Sequence, residues 1–235
     1  MIYRIADLMV EIPAAGGIAP RCLGYLTDEQ GKADITIHDE LYNVKQYPNL
    51  SEEDNVYLQS GFQFYRQLLA FDGMMLHASA VALDGKAYLF SGPCGVGKST
   101  HTNLWCSHFG DKVKLFNDDK PALRRIDGRW YAYGTPWCGK NGININMKVP
   151  LAGICFLKQS DKNEIQRLDS KTALAKVLAQ TTYRLKDPLQ MQQMLTIVES
   201  LIKEIPIYQL CNKPETAAAE LSYRVMNKGS EEVNL

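Results

Sequence analysis

The sequence has no apolar run long enough to cross a membrane, which would need about 18 to 20 consecutive apolar residues. It also has no excess of charge of either sign, because 26 lysines and arginines balance 26 aspartates and glutamates. This balance predicts neither a nucleic-acid partner nor a membrane surface as partner. The N-terminus lacks a basic stretch followed by an apolar one, so we expect no secretion signal and a cytoplasmic protein.

Cysteine pairs of the kind that build metal or redox sites are also missing. The six cysteines are scattered along the chain, and none of their spacings is typical of a zinc site or a redox motif. Internal repeats and low-complexity tracts are absent as well. We therefore expect reduced thiols in an ordinary globular protein. At 235 residues, the chain can form a main domain that carries a smaller unit.

The order of strand and helix patterns predicts an α/β fold with this division. Residues 1–72 are predicted to form a small β-rich unit that includes a linking helix beginning after Ser51. Residues 73–228 alternate short apolar runs, Asp-Gly hairpin turns and amphipathic helices, which indicates a mixed sheet with flanking helices. Residues 229–235 read as a flexible tail.

The most specific motif is a glycine-rich loop between a predicted strand and a predicted helix. It fits the spacing G-x-x-x-x-G-K-[ST] of a phosphate-binding P-loop (Walker A motif). Such a loop turns backbone N–H groups and a helix N-terminus toward phosphate oxygens. Its lysine neutralises the β- and γ-phosphates, and its hydroxyl ligates magnesium. We therefore predict that ATP and Mg²⁺ bind to Gly92, Pro93, Cys94, Gly95, Val96, Gly97, Lys98, Ser99 and Thr100.

A pair of acids forms the second candidate feature. Asp118 and Asp119 end the predicted strand that follows the loop helix, so they are expected to face the bound phosphates. One carboxylate could hold magnesium, and the other could take a proton from an attacking hydroxyl. Because side chains alternate along a strand, the two acids are expected to point in different directions.

Three further residues are candidates of lower specificity. His77 is predicted to lie on the strand beside the loop strand, either near the acids, where it would tune the base, or as a core histidine. Lys140 and Trp137 belong to a loop of turn-forming residues that resembles a lid. Lys140 either stabilises the transferring phosphoryl group or is a solvated surface lysine. Trp137 either stacks on a ligand or belongs to the core.

Taken together, His77, GPCGVGKST and NDDKP resemble the kinase domain of HPr kinase/phosphorylase and the related ATP-dependent phosphoenolpyruvate carboxykinase fold. The blocks LHASAV, YGTPWCGK and PLAGICFL make the chain look closer still to short HPr-kinase-like proteins found near peptide-modification clusters. The resemblance implies that Asp118 is the general base, with His77 beside it, and that Asp119 is the magnesium-linked acid. It further implies transfer of the ATP γ-phosphoryl group to a hydroxyl, such as a serine of a protein or precursor peptide.

The sequence also departs from that pattern. Thr100 stands where HPr kinases typically have an acid, and the segment before residue 73 is shorter than their N-terminal domain. HPr as the substrate therefore stays open, and so does a homo-oligomer. The alternatives to a serine kinase are a small-molecule kinase or carboxykinase-like enzyme, and a nucleotide-dependent regulatory module for a peptide-modifying enzyme.

Overall fold

A computed structural model describes residues 1–13, 18–42, 47–181, 185 and 187–232. Within these ranges, no helix is long and apolar enough to cross a membrane. The strands are β1 (Ile2–Ile5), β2 (Leu8–Glu11), β3 (Ile35–Thr36), β4 (Gly73–Met75), β5 (Ala78–Leu83), β6 (Lys86–Ser91), β7 (Lys114–Asn117), β8 (Ala122–Ile126), β9 (Arg129–Tyr133), β10 (Lys148–Gln159), β11 (Glu164–Arg167) and β12 (Ile207–Asn212). The helices are α1 (Ala19–Cys22), α2 (Glu52–Leu68), α3 (Lys98–Phe109), α4 (Ser170–Gln180), α5 (Pro188–Glu204) and α6 (Thr216–Glu232).

The predicted mixed α/β architecture is confirmed. In the described part of the chain, β1, β2 and β3 form a small sheet, and the other nine strands form a large mixed sheet. The long strand β10 connects the two halves of the large sheet. Its start pairs with β9 in antiparallel fashion, whereas its later residues lie parallel to β6 on one side and to β12 on the other.

Strand directions bring several loops to one edge of the large sheet. Strand β5 is antiparallel to both β6 and β7, so β6 and β7 run in the same direction. Strands β10 and β12 run in that direction too, because both belong to the parallel set with β6. The carboxyl ends of all four strands therefore lie at one edge, which is also where β5 begins. Ligands of α/β proteins commonly bind at such an edge.

Both predicted hairpins are confirmed. Asp84 and Gly85 join β5 to β6, and Asp127 and Gly128 join β8 to β9. All four residues have positive φ, between 48° and 77°. Two-residue turns of this kind match the right-handed twist of the paired strands, and an Asp-Gly pair is among the residue pairs that tolerate them best.

Three buried apolar clusters build the interior. One lies between the large sheet and helices α4 and α5, and a second lies on the opposite face beneath α3 and α6. The third joins the small sheet and α2 to side chains of β4, β8 and β9. This third cluster includes residues from both sides of position 72; the proposed division into units there stays a prediction.

Helix boundaries largely follow the sequence signals. The Ser51 side chain caps α2 by accepting from the Asp54 amide, and the Asp187 side chain caps α5 just before Pro188. Helix α6 continues to Glu232 and so takes in four residues, 229–232, that the sequence pattern assigned to the tail. The last part of that predicted tail, residues 233–235, lies outside the described residues.

The prediction that His77 lies on a strand is wrong. Strand β4 ends at Met75 and β5 begins at Ala78, so His77 lies in the break between them. Its amide donates to the carbonyl of Gln180 at the end of α4, at 2.9 Å, rather than to a neighbouring strand. This break carries the chain from one half of the large sheet to the other, and it places His77 at the edge described above.

Candidate functional site

The glycine-rich loop lies between a strand and a helix, as the sequence predicts. It follows β6 directly and leads into α3, whose first residue is Lys98. Gly92, Gly95 and Gly97 have φ values of 145°, 78° and 106°, a region that residues with a side chain rarely adopt. The outer part of the loop, Pro93, Cys94 and Gly95, is exposed.

Lys98 points back into this loop. Its ammonium donates to the carbonyls of Gly92, at 3.0 Å, and Pro93, at 3.2 Å, and the residue is only 9% exposed. Burial lowers the pKa of Lys98, and the carboxylate of Asp119 opposes that shift. The ammonium and the carboxylate therefore lie within electrostatic range of each other. Ser99 and Thr100 follow in the first turn of α3 and are exposed.

The two acids follow β7 in a turn that Asn117 holds. The buried Asn117 side chain accepts hydrogen bonds from the amides of Asp119 and Lys120, at 3.1 Å and 2.8 Å, and donates to the carbonyl of Thr135 at 3.0 Å. Since β7 ends at the same edge as β6, this turn lies on the side of the sheet that carries the glycine loop. Asp119 therefore lies within electrostatic range of Lys98, although the two residues are about twenty positions apart in sequence.

Asp118 lies in a buried position with one specific partner. Its Oδ1 accepts from the backbone amide of Gly139, and a Cβ at residue 139 would lie 2.9 Å from the other carboxylate oxygen. Only glycine permits this close approach. Burial raises the pKa of Asp118; the Gly139 amide opposes that rise, and the neighbouring Asp119 carboxylate adds to it.

Asp119 has several partners. Tyr57 donates its hydroxyl to Oδ2 at 2.8 Å, Lys120 contacts the same oxygen, and His77 Nε2 lies 3.3 Å from Oδ1. Burial alone would raise the pKa of Asp119, but the contacts with His77, Lys120 and Tyr57 outweigh it and hold the pKa far below its usual range. This carboxylate is therefore ionised across the whole physiological range.

The ring of His77 contacts the second acid, so of the two interpretations the one that places it near the acids is confirmed. Its implied role beside Asp118 stays a prediction. The other ring nitrogen, Nδ1, lies 3.1 Å from Oε1 of Gln180. The end of α4 therefore fixes both the backbone and the ring of His77.

Only part of the loop that carries Trp137 and Lys140 is exposed and could act as a lid. Trp137 is fully buried, stacks on Phe64 with ring centroids 4.6 Å apart, and donates its indole N–H to Ser60. Trp137 is thus a core residue, as one of the two interpretations held. Lys140 lies in the exposed turn that follows Gly139. It is close in sequence to the partner of Asp118, and its role in chemistry stays a prediction.

Sequence reasoning missed three side chains that line this site. Lys120 donates to the Tyr57 hydroxyl at 2.7 Å and lies above the Tyr57 ring. Arg21 places its guanidinium 4.8 Å from the centroid of the same ring. Tyr57 fits the helical apolar spacing of α2 and so looks like a core residue, whereas nothing near Arg21 in the sequence marks it as a site residue. For Lys120, the local signal was that it directly follows the two acids in sequence.

A cavity of about 660 Å³ lies beside the glycine loop. One wall comes from the loop and the outer face of α3, and the other from the segments that follow β10 and β12. Its lining combines apolar and polar groups with one carboxylate: Val96, Thr100, Leu104, Ser160, Asp161, Asn212 and Pro214. The cavity therefore continues the edge of the sheet on the side away from the two acids.

The described residues contain no group of three or more His, Cys, Asp or Glu side chains able to hold a metal ion by themselves. Candidate oxygen donors are the Ser99 hydroxyl in the first turn of α3 and the carboxylates of Asp118 and Asp119, which follow β7 at the same sheet edge. Magnesium usually takes one or two protein oxygens and completes its shell with water and substrate phosphates. This donor set fits an ion shared with phosphate rather than one enclosed by protein.

Fold and site define a mixed α/β protein with a glycine loop, a buried lysine and an acidic pair at one sheet edge. Comparison with protein families gives a match over residues 51–213 to "SynChlorMet cassette protein ScmC". The chain belongs to this family. The match includes Tyr57, His77, the loop and both acids, but not Arg21.

Curated protein sequences and solved structures provide two further comparisons. No curated protein sequence matches the chain significantly. Among solved structures, the HPr(Ser) kinase/phosphatase from Coxiella burnetii is similar, with 13% identity, 68% of this chain and 98% of that chain covered, and a TM-score of 0.38. At this TM-score the similarity supports no conclusion about the present chain.

Proposed function

We propose that the protein is an ATP- and Mg²⁺-dependent kinase that transfers the γ-phosphoryl group to a hydroxyl acceptor. The observation that carries this proposal is that Lys98 lies within electrostatic range of Asp119, which follows the buried Asp118 at the same edge of the sheet. A loop for phosphate binding alone has no need for this acidic pair. Phosphoryl transfer needs both a cation at the phosphates and carboxylates for metal and proton.

In this proposal the glycine loop and Lys98 bind the phosphates. Ser99 and Asp119 would hold magnesium, which when bound offsets the negative charge of the phosphates. Asp118 accepts the proton of the attacking hydroxyl. Its raised pKa suits a base better than that of Asp119, whose firmly ionised carboxylate suits a cation. Lys140 and Lys120 supply positive charge near the acids.

The proposed acceptor is a serine hydroxyl of a protein or peptide. The family description names a cassette of proteins, which favours a partner that acts together with this chain. A small-molecule acceptor, or nucleotide binding that regulates a modifying enzyme, would leave the same loop and acids in use. The acceptor must therefore be identified by experiment.

The direct test is to incubate the pure protein and Mg²⁺ with ATP labelled at the γ-phosphate, together with peptides, HPr or metabolite mixtures. Label on a serine of a peptide or protein is the expected result. Label on a metabolite would move the proposal to the small-molecule kinase. Tight ATP binding without transfer to any acceptor would contradict the kinase and favour a regulatory module.

The cavity beside the loop gives a separate prediction about the nucleoside. If the base and ribose lie there, Ser160→Trp should fill the space and weaken Mg-ATP binding at least ~10-fold, about 1.4 kcal/mol. Binding of Mg-tripolyphosphate, which has no nucleoside, should not change.

Lys162→Trp introduces the same side chain two residues away at an exposed position and serves as the control. Equal losses for both ligands in the Ser160 variant would contradict this placement. Calorimetric titration measures both affinities.

A further inference from the structure

Arg21 connects two segments of the chain that are far apart in sequence. It lies on α1, and its own carbonyl accepts from the side chain of Asn144 at 2.9 Å. Its guanidinium donates through Nη1 to the carbonyl of Cys138 at 2.7 Å. The same guanidinium stacks over the ring of Tyr57, 4.8 Å from the centroid. Arg21 is therefore bonded to one segment and stacked on the other.

Each of these segments holds one of the two acids. Cys138 directly precedes Gly139, whose amide donates to Asp118. Tyr57 donates its hydroxyl to Asp119. A single guanidinium is thus one residue away from the partner of one acid and in contact with the partner of the other. Arginine suits such a place because its planar fork can stack on a ring and donate in its own plane at the same time.

We infer that Arg21 is a positioning residue, which locks α2 to the 138–142 segment and so fixes the placement of Asp118 relative to Asp119. This inference rests on the proposed function, because relative placement of the acids has a consequence only where they act together. It goes beyond the family match, which starts at residue 51. Through Arg21, the segment before residue 73 would also help to position the acids.

The main consequence is geometric. The Arg21 charge also acts on Asp118 directly, because it opposes the burial that raises the pKa of that carboxyl. Arg21 touches neither acid in the structure; it restrains the groups that do. Misplacement of reacting groups by ~1 Å can cost ~10²-fold in rate. Loss of Arg21 should therefore lower kcat more than it raises the KM for Mg-ATP, because the contacts of Arg21 in the described part of the chain are with Cys138, Asn144 and Tyr57 rather than with the loop.

The test compares Arg21→Gln and Arg21→Lys with Arg4→Gln. Glutamine ends two bonds short of Nη1, so it loses the donor to Cys138 together with the charge and the guanidinium plane, whereas lysine keeps the charge and can still lie over the ring. Arg4 pairs with Glu29 in the same N-terminal unit, so its variant removes one charge there without touching the site. The first readout is amide hydrogen exchange, which does not depend on turnover. The second is turnover of γ-labelled ATP.

In Arg21→Gln we expect exchange of the Gly139 amide to rise at least ~10-fold while amides of β1 and β2 keep their protection. We expect kcat to fall about 10- to 100-fold, with KM for Mg-ATP within about threefold, and partial recovery in Arg21→Lys.

Unchanged exchange of the Gly139 amide would overturn the inference. Equal loss of protection in β1 and β2 would also overturn it, since Arg21 would then only dock the unit. Should the glutamine variant fail to fold, Arg21→Lys against Arg4→Gln decides by the same criteria. Absence of turnover in the wild type would defeat the proposed function, while the exchange result would still decide the role of Arg21.

Discussion

Replacing Asp118 with asparagine is expected to slow phosphoryl transfer about 10²- to 10⁴-fold. Asparagine has the same shape, and its side-chain oxygen can still accept from the Gly139 amide. It cannot take a proton from an attacking hydroxyl. Affinity for Mg-ATP should stay within about threefold, because the loop and Lys98 are unaffected. Turnover of γ-labelled ATP and calorimetric titration measure the two quantities.

Two variants show whether that loss is specific. Asp111→Asn changes an exposed acid beyond α3 and should leave both quantities unchanged. Asp119→Asn should chiefly weaken binding of the magnesium complex, because Asp119 is the proposed metal-linked acid. The opposite pattern, with transfer lost only in Asp119→Asn, would exchange the roles of the two acids. Unchanged turnover in Asp118→Asn would contradict its assignment as the base.

Replacing Lys98 with alanine is expected to weaken Mg-ATP binding about 10- to 100-fold, and to abolish measurable transfer. A charge-assisted hydrogen bond is worth about 1.5 to 3 kcal/mol, which corresponds to this range of affinity. The ammonium lies inside the glycine loop, 3.0 Å from the Gly92 carbonyl, so its loss removes the positive charge at the phosphate position. Equilibrium binding and transfer assays check both effects.

Lys112→Ala is the matched control for this change. Lys112 is an exposed cation just beyond the far end of α3 and should have no effect on either quantity. Thermal unfolding of both variants should be recorded, because burial of the Lys98 side chain also contributes to packing. Mg-ATP binding as tight in Lys98→Ala as in the wild type would show that nucleotide does not use the glycine loop.

Local signals in the sequence predicted much of the fold and the placement of the glycine loop and the acids at one sheet edge. The strand, glycine loop and helix around Lys98 are consecutive, so their arrangement depends little on the rest of the chain. The same holds for the Asp-Gly hairpins and for the capped starts of α2 and α5. The position of the acids could be predicted because strand β7 comes after α3 and ends at the same sheet edge as β6.

Other features depend on contacts that no local pattern encodes. His77 occupies a break because α4, about one hundred residues later, supplies the partner of its amide. Trp137 stands among turn-forming residues, yet α2 covers it through Phe64 and Ser60. Tyr57 looks like an ordinary core position until the structure brings its hydroxyl to Asp119. Such residues are found only when the packing of distant segments is known.

Sequence and structure also differ in what they imply for the residues before position 73. No local sequence signal marks Arg21 as a site residue. In the structure this segment shares a buried cluster with β8 and β9, and Arg21 contacts Tyr57, the partner of Asp119, and Cys138, which precedes the partner of Asp118. A residue remote in sequence can therefore influence the site without supplying a reacting group.

The most direct test of the account is a structure of the protein with Mg²⁺ and a non-hydrolysable ATP analogue. We predict the triphosphate within the loop from Gly92 to Thr100, Lys98 at its terminal phosphates, the ion on Ser99 and Asp119, and the nucleoside in the cavity beside Leu104. An analogue bound elsewhere, or a triphosphate that does not face Asp118 and Asp119, would contradict the assignment of this edge as a phosphoryl-transfer site.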